Sequence, residues 1–244
     1  MSEDWSGRVV LVTGSTSGIG EATARLFSRR GATVVLNSAR SVAAGDRLTK
    51  ELPHSIYLQS SVGGEGEADR LIGEVLKHCG RLDCLVNNAG TTKVIPHHDL
   101  EAATLAVWRE IFEVNLFGTF ALSVSAMPAL RERAGSIVNV SSIAGLRPTG
   151  SSIPYAASKA ALNHLTVLMA KIAGPVRVNA VAPGLIDTPW TEDWDSIRGF
   201  VQSAAPLKRS GQPADVASVI LSLAESSYVT GQVVAVDGGL TLAT

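Results

Sequence analysis

Tyr155 and Lys159 stand four residues apart near the start of a predicted helix, so their side chains share one face of it. A phenol has a pKa of about 10 and is a poor acid or base near neutral pH. An ammonium about 4 Å away, at an effective dielectric near 20, supplies roughly 4 kcal/mol and would lower that pKa to about 7. Ser142 ends the predicted strand "SIVNVSS" at the edge where open α/β sheets bind ligands. The three residues predict proton exchange with a substrate oxygen that Ser142 holds.

Gly14, Gly18 and Gly20 lie in "VTGSTSGIGEA", between the first predicted strand and the first predicted helix. Backbone N–H groups and the helix dipole at such a turn attract a pyrophosphate. The spacing differs from the familiar G-x-G-x-x-G fingerprint, and turn formation alone is the alternative interpretation. The position directly after the first strand favours dinucleotide binding.

The stretch "VVLNSARS" ends the second predicted strand, where a dinucleotide-binding chain often places an acid for the adenosine ribose. This chain has Ser38 there, which removes the repulsion that a carboxylate exerts on a 2′-phosphate. Arg40 follows two residues later and can form a charge-assisted hydrogen bond with that phosphate. The pattern favours NADP(H) and leaves NAD(H) open, because Arg40 can also be a solvated arginine at a helix entry.

Short apolar strands alternate with helix-length segments from end to end of the chain. Strands that are apolar on both faces predict a parallel sheet covered by helices on both sides. The predicted fold class is α/β, a Rossmann-type doubly wound three-layer sandwich with a seven-stranded parallel sheet. We expect one domain over residues 1–244, a long helical stretch at about 108–130, and a substrate lid at about 185–207, where no clear pattern is visible.

The composition excludes several classes of protein. The net charge of −1 gives no general affinity for nucleic acid, and the longest apolar runs are strand-sized, far short of a membrane span. The start "MSEDWSGR" is too polar for a secretory signal. Cys79 and Cys84 are interpreted as reduced thiols of a cytoplasmic protein, and the adjacent His97 and His98 as loop residues, so no metal site is predicted.

Taken together, these motifs resemble the short-chain dehydrogenase/reductase family, in its compact single-domain branch. The resemblance covers essentially the whole chain, in order. It rests on "TGSTSGIG", on "NNAG" after the fourth strand, on "VNLFG" with Asn115, on Ser142 thirteen residues before Tyr155, on "YAASK", and on "VNAVAPGLIDTP".

The resemblance implies hydride transfer between nicotinamide C4 and a carbonyl or alcohol carbon. It makes Tyr155 the general acid in reduction and the base in oxidation, and Lys159 the group that lowers its pKa and bonds the nicotinamide ribose. It implies that Ser142 holds the reacting oxygen and that Asn115 supports a water relay to Lys159.

The resemblance also implies a cofactor-binding set. Ile19 would contact the pyrophosphate, Asn88 and Ala89 the adenosine side, and Ile186 and Thr188 the carboxamide. Many relatives carry an aspartate after strand three, where this chain has Ser60-Ser61-Val62. The full predicted set is Gly14, Ser17, Gly18, Ile19, Gly20, Ser38, Arg40, Ser61, Val62, Asn88, Ala89, Gly90, Tyr155, Lys159, Pro183, Gly184, Ile186 and Thr188.

The predicted substrate pocket is apolar and aromatic, which suits a hydrophobic ketone or alcohol. It combines Ile143, Leu146, Pro148, Ile153, the loop from Val94 to His98, Trp190 and Trp194. Acidic lid residues Glu192, Asp193 and Asp195 would disfavour anionic partners at the entrance. We therefore rank a free ketone above a ketoacyl group on an acyl carrier.

Three alternatives stay open. One is an NAD-dependent alcohol or 3-hydroxyacyl dehydrogenase, the second a 3-oxoacyl reductase, and the third a dinucleotide-binding redox sensor without turnover. The family resemblance implies a homotetramer or homodimer. The C-terminal strand and the helices around Phe117 and Leu162 are the candidate interfaces.

Overall fold

The computed structural model describes residues 4–243 of the 244-residue chain, so residues 1–3 and 244 of the predicted domain lie outside it. Seven parallel strands form one sheet in the order β3-β2-β1-β4-β5-β6-β7. The strands are β1 (Val9–Val12), β2 (Thr33–Ser38), β3 (Ser55–Gln59), β4 (Cys84–Asn87), β5 (Ser136–Val140), β6 (Arg177–Pro183) and β7 (Val233–Val236). The predicted strand number and parallel arrangement are confirmed.

Eight α-helices connect and cover these strands. They are α1 (Gly18–Arg29), α2 (Val42–Glu51), α3 (Glu67–Cys79), α4 (Leu105–Phe112), α5 (Thr119–Glu132), α6 (Ile153–Ala173), α7 (Asp195–Ala204) and α8 (Pro213–Glu225).

Alternate residues of the strands build two separate cores. Val10 and Val12 face one side, where Phe27 of α1, Leu48 of α2 and Ile220 of α8 cover them. The residues between them face the other side, which α3, α5 and α6 cover. Side chains of successive strand residues point to opposite faces, so strands buried on both sides must be apolar throughout. The three-layer α/β sandwich predicted from the sequence is confirmed.

The order of the strands reverses between β1 and β4. From β1 the chain runs outward to β3, then returns to β4 and runs outward the other way to β7. At such a reversal the connections leave in opposite directions and open a crevice at the carboxyl ends of the strands. The fold therefore places its ligand site beyond the ends of β1 and β4.

Two segments differ from the sequence-based expectation. The long helical stretch is divided by a π-helical turn, Glu113–Gly118, between α4 and α5. Residues 185–207, expected to lack regular structure, contain the short 3₁₀ turn Pro189–Thr191 and the ten-residue helix α7. The sequence pattern did not predict α7 because the helix is short and its apolar residues are divided between a small core and the lining of a cavity.

One helical stretch of the described chain, Leu105–Glu132, is long and apolar enough by composition to cross a membrane, with a mean hydropathy of 1.3. Core helices of soluble proteins meet the same criterion. This stretch packs through α5 against α3 and β4, and through α4 against α6, so it belongs to a layer that covers the sheet.

Candidate active site

A cavity of about 1150 Å³ opens at the carboxyl ends of the strands. Its walls come from both sides of the sheet reversal: the glycine turn and the end of β2 on one side, and the ends of β4, β5 and β6 on the other. Of the predicted catalytic and cofactor residues, all line this cavity except Asn115 and Gly20. The sequence motifs, which are far apart along the chain, therefore meet in one place.

The glycine turn forms a narrow cradle at the start of α1. Gly14 and Gly18 adopt positive φ angles of 60° and 54°, a conformation that favours glycine. The side chain of the N-cap residue, Ser17, makes no capping hydrogen bond, so it does not satisfy the first N–H groups of the helix. A Cβ atom on Gly18 would lie 3.1 Å from the Thr188 methyl carbon across the cradle.

Gly20 and the side chain of Asn88 support this turn from behind. A Cβ atom on Gly20 would lie 2.3 Å from the Gly14 carbonyl oxygen and 2.5 Å from Asn88 Nδ2. Asn88 Nδ2 donates to the carbonyls of Thr13 and Gly14, at 2.9 and 3.0 Å. The sequence interpretation included Gly20 in the cofactor-binding set, but Gly20 does not line the cavity. Its lack of a side chain lets α1 approach the glycine turn closely.

The far end of the cavity lies at the end of β2. Ser38 is buried and Arg40 exposed, and both line the cavity. Ser60, Ser61 and Val62 line it after the end of β3, and Thr16 lines it from the glycine turn. The predicted cofactor set included Ser61 and Val62 but not Thr16 or Ser60.

Ser142, Tyr155 and Lys159 form a compact group at the other end. Ser142 starts a 3₁₀ turn, where its Oγ accepts from the Ala144 N–H at 3.1 Å, and its hydroxyl interacts with the Tyr155 phenol closely enough to lower the pKa of that group. Tyr155 lies in the first turn of α6, and its N–H donates to the side chain of the N-cap residue Ser152. Lys159, one turn later, places Nζ 5.8 Å from the centroid of the tyrosine ring.

Burial shifts both titratable groups of this set toward their neutral forms. It raises the pKa of Tyr155, which the Ser142 hydrogen bond partly opposes, and it lowers the pKa of Lys159 to about 8. The sequence interpretation expected Lys159 to bring the tyrosine pKa down to about 7, whereas the pKa of the Tyr155 phenol lies above its usual value. The physical reason is that desolvation of the phenol is the largest influence on its pKa.

Asn115 lies in the π-helical turn, fully buried behind the cavity. Its Oδ1 accepts from the Thr91 N–H at 2.8 Å, and its Nδ2 donates to the Thr91 carbonyl and to Ser158 Oγ, both at 3.0 Å. A Cβ atom on Gly90 would lie 3.4 Å from Asn115 Oδ1 and 3.7 Å from Lys159 Nζ. Asn115 therefore ties the segment after β4 to α6, and the expected water relay stays a prediction.

The predicted substrate side is an apolar wall that faces the tyrosine. Trp190 meets Tyr155 edge-on, with ring centroids 6.4 Å apart and planes at 63°. Val94, Ile143, Pro148 and Trp194 also line the cavity, whereas Leu146 and Ile153 do not.

Helix α7 contributes three further apolar residues to the lining of the cavity, Ile197, Phe200 and Val201, which the sequence interpretation missed. Of the three lid acids, only Asp193 lines the cavity. The wall is thus more apolar than the sequence suggested.

The comparisons with known proteins agree on one family. A family profile described as enoyl-(acyl carrier protein) reductase matches residues 14–241. A Streptomyces violaceoruber protein named as ketoacyl reductase 2 of the granaticin polyketide synthase is 53% identical over 239 residues, covering 96% of each chain. The 3-oxoacyl-(acyl-carrier-protein) reductase of Thermotoga maritima is 42% identical over 251 residues, 97% of this chain and 98% of that one. The crystal structure of a short-chain dehydrogenase/reductase of the glucose/ribitol dehydrogenase type from Brucella melitensis matches with a TM-score of 0.91 at 32% identity, covering 98% and 99% of the two chains.

The chain belongs to the short-chain dehydrogenase/reductase family. It is accordingly an oxidoreductase that interconverts hydroxyl and keto groups, and the family binds nicotinamide dinucleotides. The predicted family and enzyme class are confirmed.

The residues of this short-chain dehydrogenase/reductase fit such a cofactor. The glycine cradle has positive φ angles and an uncapped helix N-terminus, which suit a pyrophosphate. The segment from β6 closes over it, where Pro183, Gly184, Ile186 and Thr188 line the cavity as predicted, and so do Ile19, Ala89 and Gly90.

Arg198 of α7 is a residue that the family motifs did not reveal. Its guanidinium donates to Asp187 Oδ1 at 2.9 Å, to the Thr191 carbonyl at 2.6 Å and to Asp195 Oδ1 at 2.7 Å. Asp187 in turn accepts from Gln212 Nε2 at 2.8 Å. Arg198 thus joins α7 to the segment that carries Thr188 and Trp190. Arg198 lies outside every recognised sequence motif, so the motifs alone did not indicate it.

Proposed function

We propose that the protein is an NADP(H)-dependent reductase of an apolar ketone, acting from residues 1–244 as one catalytic domain. The observation that carries the proposal is the group of Ser142, Tyr155 and Lys159, which faces an apolar wall in the same cavity as the glycine cradle.

The residues that would hold the dinucleotide are those that line the cavity from the cradle to β6. The turn around Gly18 and Ile19 receives the pyrophosphate, and Thr188 and Ile186 the carboxamide. Ser38 and Arg40 receive the adenosine ribose, and the absence of a carboxylate from this strand end supports a 2′-phosphate. When bound, the cofactor supplies the hydride for reduction of the keto group and accepts it in the reverse reaction.

The chain's own residues move the proton. Ser142 donates a hydrogen bond to the keto oxygen and holds it beside the Tyr155 phenol. Tyr155 transfers its proton to that oxygen as the oxygen gains negative charge. The Lys159 ammonium stabilises the resulting phenolate. A positive nicotinamide ring in the oxidised complex would lower the tyrosine pKa further and assist the opposite direction.

The apolar wall selects the substrate. Trp190 and Phe200 offer aromatic surface opposite Tyr155, which favours a hydrophobic ketone over a small polar one. The relatives named as ketoacyl reductases support a second candidate, a 3-oxoacyl group carried as a thioester. Residues 185–207 would act as the lid over either substrate.

Assembly and location complete the proposal. We propose a cytoplasmic homotetramer or homodimer. Exposed apolar side chains on and beside α5 support an interface: Phe117, Phe120 and Val124 are 54%, 49% and 50% exposed. Sedimentation velocity should then show a species of two or four chains, and a monomer at micromolar concentration would contradict it.

Tyr155→Phe tests the mechanism. We expect kcat for ketone reduction to fall about 10²- to 10⁴-fold, while the dissociation constant for NADPH, measured by calorimetry, changes less than about twofold. Tyr228→Phe is the matched control, because Tyr228 is fully exposed and should leave both values unchanged. Unchanged turnover in Tyr155→Phe would overturn the mechanism.

Rates on an apolar ketone and on an acetoacetyl thioester, each with NADPH and with NADH, then separate the candidates. Faster turnover of the thioester would replace the free ketone by a 3-oxoacyl substrate. Faster turnover with NADH would replace the proposed cofactor.

A further inference from the structure

Tyr57 of β3 stands beside Ser38 of β2, although no cofactor motif includes it. Strand register pairs Tyr57 with Leu36, and its phenol oxygen lies 2.8 Å from Ser38 Oγ. The same phenol lies 3.5 Å from the Ser38 carbonyl oxygen. The N–H of Ser41 donates to Ser38 Oγ at 3.1 Å. Ser38 lines the cavity, whereas Tyr57 is half-buried behind it.

The hydrogen atoms and lone pairs of the two hydroxyl groups limit how these bonds can run. A serine hydroxyl has one hydrogen to donate and two lone pairs to accept with. The Ser41 N–H occupies one lone pair. The tyrosine has a single hydrogen, and its 2.8 Å contact with Ser38 Oγ is far better than its 3.5 Å contact with the carbonyl. Either hydroxyl can donate in the 2.8 Å contact, and when Tyr57 donates, both lone pairs of Ser38 Oγ are filled and the serine hydrogen is left for the cavity.

Helix α2 makes room for this arrangement. A Cβ atom on Gly45 would lie 2.3–2.6 Å from three carbon atoms of the Tyr57 ring. Glycine is among the poorest helix formers, yet it stands in the middle of this ten-residue helix. The close approach of the ring explains its presence, and the contact holds the ring in place.

We propose that Tyr57 is a positioning residue that makes Ser38 a hydrogen-bond donor toward the adenosine ribose and so favours the 2′-phosphate of NADP(H). The inference rests on the cofactor site of the proposed function. A phosphate oxygen only accepts, and it takes the serine hydrogen directly. The 2′-hydroxyl of NAD(H) also has a hydrogen to place, and Ser38 has no lone pair left to accept it. Arg40, exposed two residues later, adds positive charge for the phosphate alone.

Tyr57→Phe removes the phenol oxygen and keeps the ring beside Gly45. We expect the dissociation constant for NADPH, measured by calorimetry without substrate, to rise about 3- to 10-fold, the loss of one oriented hydrogen bond. The constant for NADH should change less than about twofold. In a Ser38→Ala background, Tyr57→Phe should have no further effect on either constant. Tyr228→Phe is the control for loss of a tyrosine hydroxyl elsewhere.

Each result is decisive. Equal weakening of NADPH and NADH, or an undiminished effect in the Ser38→Ala background, would show a merely structural role and overturn the inference. If wild type prefers NADPH and the Tyr57→Phe variant shows the same ratio of the NADH and NADPH dissociation constants, the inference is overturned and the proposed function stands. Wild type that binds NADH more tightly would overturn the proposed cofactor and this inference together.

Discussion

Lys159 Nζ donates a 2.9 Å hydrogen bond to the carbonyl of Val140, the last residue of β5. The bond holds the amine at the end of the strand that leads to Ser142. The site there is buried, and burial lowers the lysine pKa to about 8. The charge on Lys159 therefore changes within the pH range in which such an enzyme is assayed.

The rate of ketone reduction should fall as the pH rises through about 8. Below that pH Lys159 is an ammonium that stabilises the phenolate, and above it the charge is lost. At saturating NADPH, kcat for reduction should approach a tenfold decrease per pH unit above the pKa. Lys159→Arg keeps its charge and should give a slower but flatter profile between pH 7 and 9. A flat wild-type profile over that range would contradict the assignment.

The stability of the fold should show the same titration. An exposed lysine has an ordinary pKa of 10.5, and burial lowers the pKa of Lys159 to about 8, so between these values the unfolded chain binds a proton that the folded chain does not. The free energy of unfolding should therefore rise with pH across this window, by up to about 3 kcal/mol. Urea unfolding of wild type and Lys159→Met at pH 7.5, 8.5 and 9.5 measures this contribution as their difference. Parallel pH curves for the two proteins would refute it.

Gly20→Ala should damage cofactor binding. The new Cβ atom would lie 2.3 Å from the Gly14 carbonyl oxygen and would push α1 away from the glycine turn. We expect the dissociation constant for NADPH to rise at least about 10-fold. Gly73→Ala in α3 is the matched control, because nothing lies within 4 Å of its Cβ position. It should stabilise the helix by about 0.5–1 kcal/mol and leave binding unchanged, and similar binding by both variants would be evidence against the close approach.

Arg198→Gln should loosen α7 from the segment that carries Thr188 and Trp190. Without the bonds to Asp187 and to the Thr191 carbonyl, the apolar wall loses its fixed position. The KM for an apolar ketone should rise about 10-fold, with a smaller change in the KM for NADPH. Arg47→Gln breaks a half-exposed ion pair with Glu51 on α2 and serves as the control. Equal KM values for the ketone in both variants would show that Arg198 has no part in shaping the wall.

The architecture followed from the sequence because its rules are local. Strands apolar on both faces, such as Val9–Val12, predict a parallel sheet, and the motifs after the strands predict where the site residues lie. Other features depend on contacts between residues that are far apart in the sequence, which no local sequence pattern indicates. Tyr57 meets Ser38 only through strand register, and the π-helical turn at Asn115 depends on how that helix packs. The tyrosine pKa was mistaken because burial in the folded protein raises it more than the interaction with Ser142 lowers it.

The reversal of the sheet between β1 and β4 also separates two groups of site residues along the chain. Ser38, Arg40 and Tyr57 belong to the half that ends with β3, whereas Ser142, Tyr155 and Arg198 belong to the half that begins with β4. The two halves pack against each other through α1 with α8 and α3 with α5, pair through β1 and β4, and face each other across the cavity. Substitutions at Ser38 or Arg40 therefore act at one end of the cavity and substitutions in the apolar wall at the other, so choice of reductant and choice of substrate can be altered separately.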